Sequence, residues 1–357
     1  MNWLIAFSEA AAKTDRLVGN PNHVALLAAG LMGEIGSILA EVKKASRERD
    51  AYPVYRKKLL EETGDSLWYY IRLVRVLDSE LLGTLDLVPD SKKIEPPQES
   101  LFTFLQLGEQ VGALLAAINN KSSSEFRSLL IKIWAAFLKL SQQANLPLQV
   151  AASENILKIE SRWPSERTYA PLFDDGFLEE ERLPRQLDIE FRERRCGAQS
   201  TVILRCNGVN FGDRLTDNIE DPDWYRYHDI FHFAYAVHLG WSPVIRALLH
   251  CKRKSNAKID EAQDGARAVI LDEAVSATVF SHAKHLNFFE GIDHVDYDLL
   301  KSIRGFIDGY EVSRVPLWQW EIAILDGYRV FPLLRNNRGG RVILDVIKHE
   351  INYIVRT

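Results

Sequence analysis

Acidic side chains recur at helical spacing in two segments near the N-terminus. They are Glu34, Glu41, Glu62 and Asp65, in the segments GLMGEIGSILAEVKK (30–44) and LLEETGDSLWYY (59–70). Side chains three, four or seven residues apart leave an α-helix on the same face. Two such helices, packed antiparallel through their apolar stripes, would therefore bring the four acids together at one end of a groove.

Clustered carboxylates repel one another unless a cation or protons neutralise them. Oxygen ligands without Cys or His suit a hard divalent ion, so the cluster predicts Mg²⁺, with Mn²⁺ as an alternative. Mg²⁺ usually takes some of its ligands from the phosphates of a substrate. The predicted chemistry is metal-assisted attack of water on a phosphoanhydride. Glu61 is a candidate base for that water, and Lys43 and Lys44 are candidate partners of the phosphates.

The same residues also have a structural interpretation. Glu residues at this spacing are common on solvated helix faces, although here they are interleaved with apolar residues. Trp68, which follows the acids, could stack on a nucleotide base, but core packing is the more frequent role of such an aromatic residue. Gly33 and Gly36 each weaken a helix by about 1 kcal/mol, which favours close approach by another helix or a ligand.

A second group of ionisable residues lies in the C-terminal half. Its candidate ligands are His228, Asp229, His232, Glu261, Asp264 and Glu273. The first three fall within about one helical turn. One interpretation is a divergent second bundle with an acidic groove, and another is an HD-type phosphohydrolase, in which a His-Asp pair binds a metal. The structural alternative is that the two histidines pack beside aromatic residues.

Lys252, Arg253 and Lys254 form a basic run between these candidate ligands. Such a run is usually a solvated turn. At the mouth of an acidic metal site it would instead bind phosphates. The sequence leaves both interpretations open.

Helices must position both groups of residues. Apolar residues recur every three to four positions through most of the first 160 residues, which predicts a helical bundle interrupted by a loop at 89–99. A charged, Pro-containing segment at 163–185 follows, as a linker or an ordered arm. The remainder predicts two strands around Gly197, a turn-rich loop at 207–218, several helices, one of them spanning 261–285, and a closing hairpin.

The predicted fold class is therefore mainly α. A helical-bundle domain is expected at 1–162, and a C-terminal helical domain with a small antiparallel β-sheet is expected at 163–357. The 357 residues carry a net charge of −5, and 46% of them are hydrophobic. This composition predicts globular domains and argues against a broad basic surface for nucleic acid.

The three cysteines are few and scattered, as in proteins of a reducing cytoplasm. No uninterrupted apolar run approaches the roughly 20 residues of a membrane span. The N-terminal segment has no basic region before its short apolar stretch, which favours a helix over a signal peptide. We therefore expect a cytoplasmic protein without a membrane span.

The two acidic segments resemble the MazG-like nucleoside triphosphate pyrophosphohydrolases, of the all-α NTP pyrophosphatase superfamily. The family motif is E-x-x-E, a variable gap and E-x-x-D; Glu34 matches the first Glu, and Glu62 and Asp65 match the E-x-x-D. The resemblance covers about residues 20–80. It implies a helical bundle, often assembled into homo-oligomers, that uses Mg²⁺ to cleave an NTP or dNTP into NMP and pyrophosphate.

Ser37 stands where the family motif has its second Glu. A hydroxyl is a weaker, neutral ligand for Mg²⁺, so Glu41, one turn further along, is an auxiliary candidate ligand. The departure favours an alternative function, a nucleotide-sensing regulatory module with weak or no turnover. A third interpretation places the main site of a metal-dependent phosphohydrolase in the C-terminal half.

Most of residues 170–355 resembles the C-terminal region of longer MazG-like proteins. The segments that carry this resemblance are FDDGFLEEERLPRQLDIEF, YHDIFH, GWSP, KRKS and DGARA. This second resemblance identifies a companion region of the family and implies no particular activity.

Overall fold

The computed structural model describes residues 3–87, 101–197 and 199–355. Contacts within the chain group it into two units, Met1–Ser165 and Glu166–Thr357. The described part of the first unit is helical, and the second unit combines helices with a five-stranded antiparallel sheet. The predicted fold class is therefore confirmed.

Short connections join most of the long helices of the first unit. The helices are α1 (Trp3–Thr14), α2 (His23–Glu48), α3 (Tyr55–Leu77), α4 (Leu101–Asn119), α5 (Phe126–Gln143) and α6 (Leu148–Arg162). The apolar stripes of α2 and α3 form much of the core, with Leu31, Ile35 and Leu67 among the side chains removed from solvent. The loop predicted at 89–99 lies outside the described residues.

Glycines allow two close contacts in this bundle. A Cβ atom at Gly30 would lie 2.3 Å from an aromatic ring of α3, and one at Gly64 would lie 2.5 Å from a backbone carbonyl oxygen of α6. At Gly33 and Gly36 a Cβ atom would meet nothing within 4 Å. The predicted approach of a neighbouring helix at Gly33 and Gly36 is therefore wrong, because both positions are exposed.

Two helical segments have the length and hydropathy that could cross a membrane, His23–Ala51 and Leu101–Asn119. Each contributes buried side chains to the bundle core, among them Leu31 and Leu107. Core helices pass the same test of length and composition as membrane spans. The absence of a membrane span thus stays a prediction.

The second unit begins with strands, continues through helices and ends in a hairpin. Its elements are β1 (Gln186–Cys196), β2 (Gln199–Cys206), β3 (Val209–Leu215), α7 (Asp229–Leu239), α8 (Pro243–Leu248), α9 (Ala257–Ala262), α10 (Ala266–Lys284), α11 (Tyr297–Phe306), α12 (Leu317–Asn336), β4 (Gly339–Asp345) and β5 (Glu350–Ile354). The strand order is β3-β2-β1-β4-β5. Helix α7 is buried at every position, so its polar residues need partners within the unit.

Two sequence-based assignments in this unit are wrong. The loop expected at 207–218 contains strand β3, because Asn207 and Gly208 adopt positive φ angles of 49° and 83° and form the turn of a β-hairpin. The helix expected at 261–285 is broken into α9 and α10 at Gly265. A Cβ atom at Gly265 would lie 2.2 Å from the Glu261 carbonyl oxygen, so this break suits only glycine.

The charged segment before β1 is an ordered arm. Asp174 is 1% exposed and forms ion pairs with Arg246 at 2.7 Å and with Arg185 at 2.8 Å. A buried carboxylate needs such partners because it has lost its hydration. These ion pairs fix the arm against α8.

Two of the three cysteines, Cys206 and Cys251, are free thiols. Burial raises the pKa of both thiols, which favours the protonated form of each. The side chain of Cys196 lies outside the described part of the chain.

Candidate functional sites

An acidic cluster forms where α2 passes α3. Carboxylate oxygens of Glu34, Glu62 and Asp65 lie within 4.8 Å of one another. The helical spacing explains this convergence, because Glu62 and Asp65 leave one face of α3 and Glu34 borders the buried stripe of α2. The structure therefore brings together three of the four predicted metal ligands.

The cluster perturbs the ionisation of Glu34. Burial, together with the negative charges of Asp65 and Glu62, raises the pKa of this carboxyl from 4.5 to about 7. The positive charge of Lys158 acts in the opposite direction. The repulsion among the three acids thus favours a proton on Glu34. A bound cation would replace this proton and stabilise the charged carboxylates.

Helix α6 adds two residues that the sequence analysis did not identify. The Asn155 amide nitrogen donates to Asp65 Oδ1 at 2.5 Å, and the Lys158 ammonium group forms an ion pair with the same carboxylate. Asn155 Oδ1 is buried without a hydrogen-bond partner. The i, i+3 spacing of an Asn and a Lys on an amphipathic helix was the available signal, but nothing in it pointed to α3.

The structure does not bring Glu41 into the cluster. Glu41 lies two helical turns beyond Glu34, about 10 Å along the axis, and accepts a hydrogen bond from the Tyr52 hydroxyl. Glu61, which precedes Glu62 on α3, forms an ion pair with Lys58 at 3.1 Å. Glu41 is thus not placed for the auxiliary ligand role that the sequence suggested, and the role of Glu61 as a base stays a prediction.

The two lysines predicted to bind phosphates also lie away from the acids. Lys43 and Lys44 follow Glu34 by about 14 Å along α2. Lys44 packs over the Tyr52 ring, with its Nζ atom 4.1 Å from the ring centroid. Trp68 is buried, and its indole nitrogen donates to Thr14 Oγ1 at 3.0 Å. Its packing in the core corrects the prediction of a base-stacking surface.

A second cluster lies in the C-terminal unit, between α7 and α10. His228, Asp229 and His232 offer ligand atoms within 4.8 Å of one another. Glu273 of α10 joins them, with Oε2 3.4 Å from His232 Nε2 and 3.8 Å from His228 Nε2. Four of the six candidate ligands of this half therefore converge.

Burial dominates the ionisation of this second cluster. It lowers the pKa of His228 and raises that of Asp229, so it favours the neutral form of both side chains. Burial also opposes the charged form of His232, but Asp272 and Glu273 outweigh it and raise that pKa well above its usual value. The pKa of Glu273 is lowered because the two histidines outweigh its burial.

The other two candidate ligands, Asp264 and Glu261, do not join the His228 cluster. Asp264 is fully buried, where it binds Arg253 through two hydrogen bonds of 2.7 and 3.0 Å. Glu261 lies exposed on α9. The predicted alignment of both with Glu273 on one helix fails because of the break at Gly265.

The three residues of the basic run also differ in their exposure to solvent. Arg253 is 1% exposed and binds Glu311 as well as Asp264, so its predicted role as a phosphate ligand is wrong. Lys252 and Lys254 lie nearer the surface, beside His250 and Asp260 in a pocket of about 350 Å³. The pocket does not include the His228 cluster.

The family model described as MazG C-terminal domain matches residues 168–357, which is more than half of the chain. No curated protein and no solved structure matches the chain. The matched range contains the His228 cluster and does not include the acidic cluster of α2 and α3, which precedes it in the chain.

Proposed function

The chain belongs to the MazG C-terminal domain family, and from this membership we propose that its N-terminal unit is a Mg²⁺-dependent nucleoside triphosphate pyrophosphohydrolase. The family associates the chain, at a coarse level, with nucleotide-hydrolysing enzymes. The finer proposal, cleavage of an NTP or dNTP to NMP and pyrophosphate, rests on the acidic cluster, which lies outside the matched range.

One observation carries the proposal: Glu34, Glu62 and Asp65 converge from two helices. Their oxygens form a donor set that suits Mg²⁺, or Mn²⁺ in its place. The raised pKa of Glu34 and the unpartnered Asn155 Oδ1 both indicate that protein groups alone do not satisfy this site. The donor set therefore fits a hard divalent cation.

Glu34, Glu62 and Asp65 would hold this cation. When bound, it would polarise a phosphate oxygen and make a water molecule more acidic. Asn155 holds Asp65 in place through its amide hydrogen bond. Lys158 keeps a positive charge at the edge of the cluster, where it would bind a phosphate of a nucleotide that reaches the cation.

The test is release of pyrophosphate from a panel of NTPs and dNTPs with Mg²⁺. We expect the double variant Glu62→Gln and Asp65→Asn to lose at least about 100-fold in rate, because even outer partners of metal ligands cost 10–100-fold. Glu48→Gln, at the exposed end of α2, is the matched control and should keep the wild-type rate. Equal release from the double variant and the wild type would remove these acids from the mechanism.

A second function is favoured by two features of this site. The ammonium group of Lys158 already neutralises Asp65, and Ser37 provides no charge at the position of the second family Glu. The same fold could therefore bind a nucleotide without hydrolysing it, as a sensing module. Calorimetry separates the two functions, because tight NTP binding without pyrophosphate release identifies the sensor.

We further propose that the protein acts as a cytoplasmic homo-oligomer with a nucleoside triphosphate as its substrate. Helical bundles of this type often complete their sites across an interface. Sedimentation of the full chain with and without nucleotide tests the assembly. A monomer at all concentrations would contradict it.

A further inference from the structure

The His228 cluster has no part in the proposed pyrophosphohydrolase reaction and lies in the other unit of the chain. Its four side chains come from α10 and from α7 and the residue before it: His228, Asp229, His232 and Glu273. All except Glu273 are almost completely buried. Two imidazoles and two carboxylates form an unusual group to bury unless something binds to them.

Each of the two histidines is oriented by a hydrogen bond of its Nδ1 atom, the ring nitrogen that faces away from the other cluster residues. His228 Nδ1 lies 2.9 Å from the Tyr225 carbonyl oxygen, and His232 Nδ1 lies 2.7 Å from Asp272 Oδ1. Both partners are acceptors, so each Nδ1 carries a proton. The Nε2 atom of each ring faces the other cluster atoms, which is the arrangement of metal-binding histidines.

Asp272 is itself held in place by two further donors. The Ser242 hydroxyl donates to Asp272 Oδ2 at 2.6 Å, and the Val244 backbone amide donates to the same oxygen at 3.2 Å. One carboxylate oxygen of the fully buried Asp272 therefore accepts hydrogen bonds from the start of α8, and the other contacts His232. A carboxylate that orients a histidine in this way is typical of the outer layer of a metal site.

One atom of the cluster lacks a hydrogen-bond partner. His232 Nε2 is buried and forms no hydrogen bond, although the Glu273 carboxylate is 3.4 Å away. Buried polar atoms are rarely left unpaired, because burial removes their hydrogen bonds to water. A ligand between His232 and Glu273 would satisfy both groups.

The separations between the ligand atoms match those around a small cation. His228 Nε2 lies 3.2 Å from Asp229 Oδ1 and 3.8 Å from Glu273 Oε2. The third distance, from His232 Nε2 to Glu273 Oε2, is 3.4 Å. The three distances lie around the separation expected between two ligands of a tetrahedral metal site. A cation bound at roughly 2.1 Å to each ligand places the ligands about 3.4 Å apart.

We propose that His228, Asp229, His232 and Glu273 bind one divalent transition-metal ion in the C-terminal unit. Imidazole nitrogen favours Zn²⁺ or Fe²⁺ over the Mg²⁺ of an all-oxygen site. The Glu273 side chain is 44% exposed, so solvent reaches the centre from α10. A water molecule can thus join the four side chains as a fifth ligand, which makes this centre able to activate water as well as to stabilise the fold.

The test measures Zn²⁺ binding to the metal-stripped full chain by equilibrium dialysis, with Co²⁺ absorption as a second readout of imidazole ligation. The background is the Glu62→Gln and Asp65→Asn double variant, which lacks the other acidic cluster. We expect this background to bind one equivalent of Zn²⁺. Adding His228→Gln or His232→Gln should weaken binding more than about 100-fold, and Asp272→Asn about 10–100-fold.

Two further variants keep the result interpretable. His285→Gln, at the exposed end of α10, is the matched control and should bind Zn²⁺ as the background does. Glu273→Gln, at the half-exposed ligand, tests the centre without altering the buried histidines. Equal Zn²⁺ binding with and without these ligands would overturn the proposal. A background that binds no Zn²⁺ would also overturn it and leave the cluster as an ion-paired network only. Neither result bears on pyrophosphate release, which is measured separately.

Discussion

The ammonium group of Lys158 lies on the carboxylate of Asp65, in the same cluster as Glu34 and Glu62. Lys158 reaches Asp65 from a helix 93 residues further along the chain. One positive charge thus offsets part of the repulsion among three acids. The ionisation of the cluster must depend on this lysine.

Replacing Lys158 by Gln should raise the pKa of Glu34 above its value of about 7, because Lys158 favours the charged form of that carboxyl. Carboxyl resonances followed by NMR during a pH titration measure the change. Lys139→Gln removes an exposed charge that binds Gln106 and should leave the Glu34 titration unchanged. An unchanged Glu34 pKa in Lys158→Gln would contradict the assigned role.

Glu34 should make the stability of the N-terminal unit depend on pH. Its pKa is about 7 in the folded chain and 4.5 as the reference value, so the folded chain keeps a proton that the unfolded chain has lost. The stabilisation is fully present below about pH 4.5 and is lost as the pH rises to about 7. Asp65, Glu62 and Lys158 are the charged groups that set this window.

Thermal unfolding of the wild type and of Glu34→Gln at about pH 5 and pH 8 tests this linkage. The wild type should lose more stability between the two values than the variant does. Mg²⁺ should restore the wild type selectively at the higher pH, because it binds the charged form. The same loss in both proteins would exclude Glu34 as the source.

Two glycine positions on the bundle helices should respond in opposite directions. Gly64→Ala places a methyl group against the α6 backbone and should cost about 1–3 kcal/mol of unfolding free energy. Gly36→Ala meets open space and should stabilise α2 by up to about 1 kcal/mol. Urea unfolding of both variants gives the comparison; equal effects would show that the contact at Gly64 can relax.

Asp264 should be a structural residue of the C-terminal unit. Asp264→Ala leaves the buried Arg253 without one of its two acidic partners and should cost about 3–5 kcal/mol. Glu261→Ala, in the same E-x-x-D spacing but exposed, should change the free energy of unfolding by less than about 0.5 kcal/mol. Similar unfolding curves for the two variants would show that burial does not distinguish them.

The sequence predicted the acidic cluster because its residues lie close together along the chain. Helical spacing places Glu62 beside Asp65, and the apolar stripes bring Glu34 to them. The role of Lys158 could not be predicted, because its contact depends on how α6 packs on α3. The spacing of Glu41 places it on the same face of α2 as Glu34. It lies two helical turns further along the axis, however, and is therefore outside the cluster.

In the second half of the chain, residues that look alike in the sequence differ in whether they are buried or exposed. Arg253 lies between two lysines of one basic run, yet only the arginine enters the interior, where Asp264 and Glu311 bind it. Nothing in the local pattern identifies those partners. The convergence of His228 and His232 was predictable from their spacing, whereas Asp272 could be recognised only from its contact with His232.

Strand β1 pairs with β2 on one side and with β4 on the other, and Gln186 lies opposite Asp345. During synthesis β1 therefore leaves the ribosome long before its second neighbour exists. Until β4 arrives, one edge of the nascent sheet stays open to other strands. Ribosome-bound chains that stop before β4 should aggregate, or recruit chaperones, more than chains that extend past β5.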